Sequence, residues 1–176
     1  MAKWAVIYSS ITGNTEKVAK AVAAALENAD CFTVASAPED LSPYEGIALG
    51  YWLWRGGPDK EMQELMGRLE NRRVFLFATH ATQNGSEHAV TALARGAAAL
   101  GRGCTILTTF DCQGELAPQL VEKRRRMPAE DPHANTGGWK TAFGHPDEGD
   151  LIRAKAAADN AMRKLAFFLK KEAGER

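Results

Sequence analysis

The segment Ser10-Ile11-Thr12-Gly13-Asn14-Thr15 lies between an apolar run at residues 3 to 9 and a helical pattern that begins at Glu16. No other stretch constrains the chain as strongly. A buried strand must hand over here to a helix whose first backbone N–H groups have no intrahelical partner. Three hydroxyls, one amide and one glycine stand at that junction. An anion satisfies such N–H groups, and the helix macrodipole adds about half a positive charge at that end. The segment reads as a phosphate loop.

The residues around it narrow the kind of phosphate. A nucleoside triphosphate loop needs GxxxxGK followed by Ser or Thr, and residues 9 to 15 carry no lysine. The GxGxxG spacing of dinucleotide loops is also missing there. A receiver domain needs an acidic cluster after its first strand, where this chain has Ser9-Ser10. Hydroxyls and backbone amides without a cation suit a monophosphate that is held and left unreacted.

The chain around this loop alternates strand-like and helix-like runs. Residues 3–9, 31–35, 46–51, 74–78 and 104–110 are short, apolar and rich in strand formers. Val18, Ala19, Val22, Ala23 and Leu26 recur at helical spacing, as do Met62, Leu65, Met66 and Leu69 with Pro58 as the expected opening residue. An alanine-rich helix is expected from Ser86 to Leu100, a short charged one from Pro118 to Met127, and a long one from Asp147 to the end. This alternation predicts an α/β domain with a doubly wound, five-stranded parallel sheet, helices on both faces and ligands at the carboxyl ends of the strands.

Composition sets wide bounds. A chain of 176 residues is expected to form one domain, 1–176, burying about 70% of the surface its unfolded form exposes. Cys31, Cys104 and Cys112 lack metal spacing, and an odd count makes a poor disulfide framework. Twenty-two basic and 22 acidic residues balance, so nothing points to nucleic acid or an anionic membrane. No apolar run has the roughly 20 residues of a membrane span and no signal peptide is visible, so a cytoplasmic protein is expected. The basic run Lys123-Arg124-Arg125-Arg126 is read as a solvated helix face.

The cluster Trp52-Leu53-Trp54-Arg55-Gly56-Gly57 ends the third strand at the same sheet edge as the phosphate loop. Tryptophan beside a phosphate pocket offers a flat apolar face, and offset stacking of a planar ring contributes on the order of 1 kcal/mol beyond area burial. With Tyr8-Ser9-Ser10-Ile11-Thr12-Gly13-Asn14-Thr15 ahead of Val18 and Ala19, the chain resembles the flavodoxin family, whose phosphate loop reads Ser or Thr, any residue, Thr-Gly, any residue, Thr. The resemblance covers residues 3 to about 112 and the final helix. It implies the family's strand order 2-1-3-4-5, with FMN at the switch between strands one and three.

Transferred to these residues, the resemblance implies an FMN site. Ser9, Ser10, Ile11, Thr12, Gly13, Asn14 and Thr15 form the phosphate loop. Tyr51, Trp52, Leu53, Trp54, Arg55 and Gly56 cover one ring face, with the stacking tryptophan left open between Trp52 and Trp54. Thr79, His80, Ala81, Thr82 and Gly85 meet the other edge. It also implies that Gly56-Gly57 lets a carbonyl turn toward the ring, and that Arg55, if near the ring, favours its reduced anion. No catalytic residue and no metal ligand is assigned.

Three features depart from the family, the first being charge, since its members are commonly acidic and this chain is neutral. Gly85 and Ser86 stand where many flavodoxins carry a tyrosine over the outer ring face, leaving His80 or Trp139 as its substitute. A helix-plus-loop insertion at about 113–146 leaves the sheet at the ligand edge; Gly137-Gly138-Trp139 with His133 and His145 suggests a lid or docking surface, with disorder as the other reading of so long a loop.

The resulting expectation is an FMN-containing electron carrier that moves single electrons between a low-potential donor, a reductase or ferredoxin-type protein, and an acceptor oxidoreductase. The alternatives are an FMN-dependent reductase acting on a quinone or other small acceptor, and a flavin-free module that keeps the phosphate loop.

Overall fold

The computed structural model describes residues 2–128, 130–131 and 139–174. Its sheet is built from β1 (Trp4–Tyr8), β2 (Ala29–Thr33), β3 (Gly46–Trp54), β5 (Arg73–His80) and β6 (Thr105–Gln113), all parallel. The order is β2-β1-β3-β5-β6, with the two-residue β4 (Gly57–Pro58) paired antiparallel to the end of β3. Leaving out that hairpin arm, this is the expected 2-1-3-4-5 order. Helices α1 (Asn14–Ala25) and α5 (Glu148–Glu172) cover one face, α2 (Lys60–Arg68) and α3 (Glu87–Ala99) the other, and α4 (Pro118–Arg125) belongs to the insertion.

The central strands are apolar at consecutive positions because both faces are covered. In β1, Trp4 and Val6 enter the core under α1 and α5, while Ala5 and Ile7 enter the core under α2 and α3. Small residues on one strand make room for rings on its neighbours. A Cβ at Gly46 would lie 2.6 Å from the Trp4 ring, and one at Gly50 would lie 2.2 Å from the Phe77 ring. In the same way Gly96, three residues before the end of α3, admits Tyr51, whose hydroxyl donates to the Ala92 carbonyl at 3.2 Å. Gly50 and Gly96 bring β3, β5 and α3 together, and the Gly50 carbonyl accepts from the Ser9 N–H at the start of the phosphate loop.

Several boundaries differ from the sequence expectation. Pro58 does not open α2; it sits in β4, and Asp59 caps the helix by accepting from the Met62 N–H at 3.3 Å. The third strand runs on through Trp54, because the aromatic cluster pairs with Gly57 and Pro58 as a hairpin instead of forming an open loop. The second strand starts two residues earlier than expected and ends at Thr33, where Thr33 and Ser36 form a capping box over a short 3₁₀ turn. The last strand reaches Gln113, so the insertion begins directly at the sheet edge. Ser86 and Asp147 cap α3 and α5 where expected.

Gly50→Ala is expected to destabilise the protein by about 1–3 kcal/mol through overpacking against Phe77. Urea unfolding measures this, and an unchanged midpoint would show that the ring moves aside freely.

Candidate functional site

Three loops leave the carboxyl ends of β1, β3 and β5 and converge with the insertion on one cavity of about 460 Å³. Its walls include Ser10, Thr12 and Asn14 from the first loop, Trp52 and Leu53 from β3, and Thr79 to Thr82 from the third loop. Leu116, Ala117, Leu120, Arg124 and Trp139 close it from the insertion side.

The first loop is shaped by Gly13, whose φ of 88° turns the chain into α1 and brings its N–H onto Ser10 Oγ at 3.1 Å. Helix α1 then opens with no side-chain cap, whereas α2, α3 and α5 are capped by Asp59, Ser86 and Asp147. The side chains that stand nearest are otherwise committed. Thr15 is buried and its hydroxyl meets Thr79 Oγ1 at 2.8 Å; the Asn14 amide donates to the Glu115 carbonyl at 2.8 Å. Both tie the loop to its neighbours, so Ser10, Thr12 and the backbone N–H groups of the α1 opening are what it offers an anion. Ser9 does not line this cavity: its hydroxyl donates to Asp59, the cap of α2.

The aromatic cluster separates into two roles. Arg55 (φ 52°) and Gly56 (φ 80°) are consecutive left-handed residues, the arrangement of a tight two-residue hairpin turn. Trp52 lies in the cavity wall and also in that of a second groove of about 520 Å³, whereas Trp54 faces only the second groove and is 40% exposed. The Arg55 guanidinium lies over the Trp54 ring, 4.8 Å from its centroid, and so does not line the cavity. Its carbonyl accepts from Arg95 Nη1 at 2.7 Å, which ties the turn to α3. Gly56 reaches the cavity; Tyr51 and Gly85 do not, Tyr51 being wholly buried under α3.

In the third loop His80 is buried and hydrogen-bonded on both ring nitrogens, to Asp111 Oδ2 at 2.9 Å and to Thr82. It is therefore fixed in the wall and not laid free against a ligand. The insertion is tied back at its base: Gly114 N–H donates to the His80 carbonyl at 2.8 Å, Glu115 N–H to the His145 carbonyl at 2.8 Å, and Gln113 to Thr141 at 2.8 Å. His145 meets Asp150 at 2.5 Å, and Arg153 pairs with the other oxygen of that carboxylate, anchoring the insertion to the start of α5. Trp139 packs edge-on against Phe143 and is 5% exposed, yet its indole N–H has no partner among the described residues. A buried donor in a cavity wall is costly unless a ligand atom accepts from it. His133, Gly137 and Gly138 lie outside the described residues.

Burial pushes the Cys112 thiol and the Tyr51 phenol upward, so both stay neutral at ordinary pH. Gly114, Glu115, Leu116, Ala117, Leu120 and His88 line the cavity without having been singled out as site residues, and Arg124, read from the sequence as part of a solvated helix face, lines it too. The position of the insertion at the ligand edge was the available signal for most of them.

Comparison with known proteins agrees with this fold. A family model described as "Flavodoxin domain" matches residues 5–159. The chain is 26% identical over 171 residues to a flavodoxin-like domain-containing protein BilS of Clostridioides difficile (strain CD3), covering 92% of this chain and 97% of that protein. Its fold is similar to oxidised flavodoxin 2 from Bacillus cereus, with a TM-score of 0.59, 20% identity, and coverage of 93% of this chain and 99% of that one. It is also similar to a Lactobacillus acidophilus NCFM flavoprotein solved in complex with FMN, with a TM-score of 0.54, 15% identity, and coverage of 63% and 93%.

Thr15→Val is expected to cost about 1–3 kcal/mol by leaving the buried Thr79 hydroxyl unpaired, while Thr15→Val with Thr79→Val returns most of that loss. A urea double-mutant cycle measures the coupling. Additive effects would show that the two hydroxyls do not support each other.

Proposed function

Since the chain belongs to the flavodoxin domain family, we propose that it binds FMN and carries single electrons between a low-potential donor protein and an acceptor oxidoreductase. The observation that carries this reading is the uncapped opening of α1 inside a cavity that also holds Ser10, Thr12 and Trp52. A phosphate supplies the missing cap, and the flat face of Trp52 suits a planar ring. The Trp139 N–H, without a partner among the described residues, is a further donor in the same wall.

Ser10 and Thr12 hydroxyls and the first N–H groups of α1 would hold the phosphate, with the helix dipole adding to the hydrogen bonds. Trp52 would cover one face of the ring, and backbone groups of Thr79 to Thr82 would meet its polar edge. Bound FMN supplies the electron-accepting chemistry. The chain's own part is to bind, to orient and to exclude water. Arg95, by holding the Arg55 carbonyl, keeps the β3–β4 turn in one arrangement beside the cavity. Arg55 is turned onto Trp54, so its charge acts from outside the cavity.

A second reading, an FMN-dependent reductase for a quinone or other small acceptor, is favoured by one observation. The insertion walls the cavity with Leu116, Ala117, Leu120 and Trp139, which a carrier with an open ring edge does not need.

Purified protein supplied with FMN is expected to show flavin absorption bands and no steady oxidation of NADH or NADPH until a separate reductase is added. Turnover by the protein alone would support the reductase reading over the carrier, and a lack of flavin bands after FMN addition would contradict both.

A further inference from the structure

We propose that His80 is a proton-binding site coupled to the charge held in the cavity beside it, with Asp111 and Thr82 as the groups that let it gain and lose a proton in place. The inference rests on the FMN reading above, which supplies the changing charge.

His80 ends β5, and Asp111 stands opposite Ala78 on the adjacent β6, so both side chains lie on the α2/α3 face of the sheet. The His80 side chain is 1% exposed and that of Asp111 is 25% exposed. Nε2 is 2.9 Å from Asp111 Oδ2, and an ionised carboxylate only accepts, so Nε2 carries a hydrogen. Nδ1 has two partners of opposite kind on one residue: the Thr82 carbonyl oxygen at 3.0 Å and the Thr82 hydroxyl at 3.2 Å. A neutral ring accepts from the hydroxyl, and a protonated ring donates to the carbonyl. Both protonation states are hydrogen-bonded without turning the ring. A histidine that only braces two strands needs one such partner.

The pair also has a path to solvent and a neighbour to sense. Ser86 Oγ is 3.4 Å from Thr82 Oγ1, and both residues are partly exposed. His80 and Thr82 line the cavity that holds the α1 opening and Trp52. Asp111 on β6 is the charge bonded to the ring, so the pair is neutral when His80 is protonated and carries one negative charge when it is not. From β3 the facing group is the Tyr51 phenol, kept neutral by burial. From α3 the chargeable residues are Glu87 and His88, both exposed, and Arg95, bonded to the Arg55 carbonyl. From the insertion side they are Glu115, whose carboxylate accepts from the Gly144 N–H, and Arg124, which lines the same cavity.

Negative charge arriving in the cavity disfavours the anionic form of the pair. When a one-electron donor protein places an electron there, a proton leaves a solvent hydronium or buffer acid and forms the N–H bond at Nδ1. Withdrawal of the electron by the acceptor reverses the step. By linkage, the protonated pair holds negative charge in the cavity more firmly to the same degree.

The test uses the full chain loaded with FMN, with loading read from its visible bands. The His80 ring resonance is followed by NMR from about pH 5 to about pH 9, the range in which histidine changes charge, in the oxidised and the fully reduced protein. The reduced protein is expected to hold the His80 proton about tenfold more tightly. Asp111→Asn should move both curves to lower pH, and Thr82→Val, which removes the donor and leaves the carbonyl, should move both to higher pH. His80→Gln should take up fewer protons on reduction, counted with an indicator dye. Coincident curves in the two redox states of a flavin-loaded protein would overturn the inference alone. Failure to take up FMN would overturn the reading beneath it as well.

Discussion

The structure depends on one unfinished set of hydrogen bonds, the backbone N–H groups that open α1. Other helices of the sheet-covering layers end this way only with a side-chain cap, and α1 has none. The polar side chains that might have supplied it point elsewhere: Thr15 to Thr79, Asn14 to Glu115, Ser9 to Asp59. Each of those bonds crosses from the first loop to another element, so the loop is held rigidly by residues that leave its N–H groups unsatisfied. On the proposed reading, the FMN phosphate is the anion that completes the helix.

Much of the fold was legible because two periods alternate cleanly along the chain. Runs such as 74–78 are apolar at every position, which suits a strand covered on both faces, and the helices between them repeat at 3.6 residues. What was misread followed from local chemistry that composition does not show. Pro58 is compatible with the first turn of a helix, but Asp59 caps better, so the helix begins later and Pro58 takes the hairpin edge, where its missing N–H costs nothing. Arg55 accepts a left-handed φ, which together with Gly56 makes the turn and directs its side chain onto Trp54.

The site was legible where residue type alone decides and obscure where direction decides. Ser10, Thr12 and the Thr79–Thr82 loop fall in the cavity as the pattern indicated. Between Trp52 and Trp54 the sequence has no preference: two residues apart on β3 they share a strand face and both reach the second groove, but of the two only Trp52 also lines the cavity. Tyr51 was drawn to the site by its neighbours and is in fact the plug between β3 and α3, made possible by Gly96. The pairing of His80 with Asp111 joins positions 31 residues apart and becomes visible only when β5 and β6 are in register.

The insertion changes the character of the cavity. It contributes an apolar wall, an arginine and a buried indole donor to a site whose other walls come from the common sheet edge. The central claim nevertheless concerns the phosphate end, which is independent of what lies above the ring. Isothermal titration of the flavin-free protein with FMN and with riboflavin, which lacks only the phosphate, tests it most directly. Charge-assisted hydrogen bonds of about 1.5–3 kcal/mol each, made by two or more donors, predict that FMN binds at least about a hundredfold more tightly. Equal affinity for the two flavins would contradict the account.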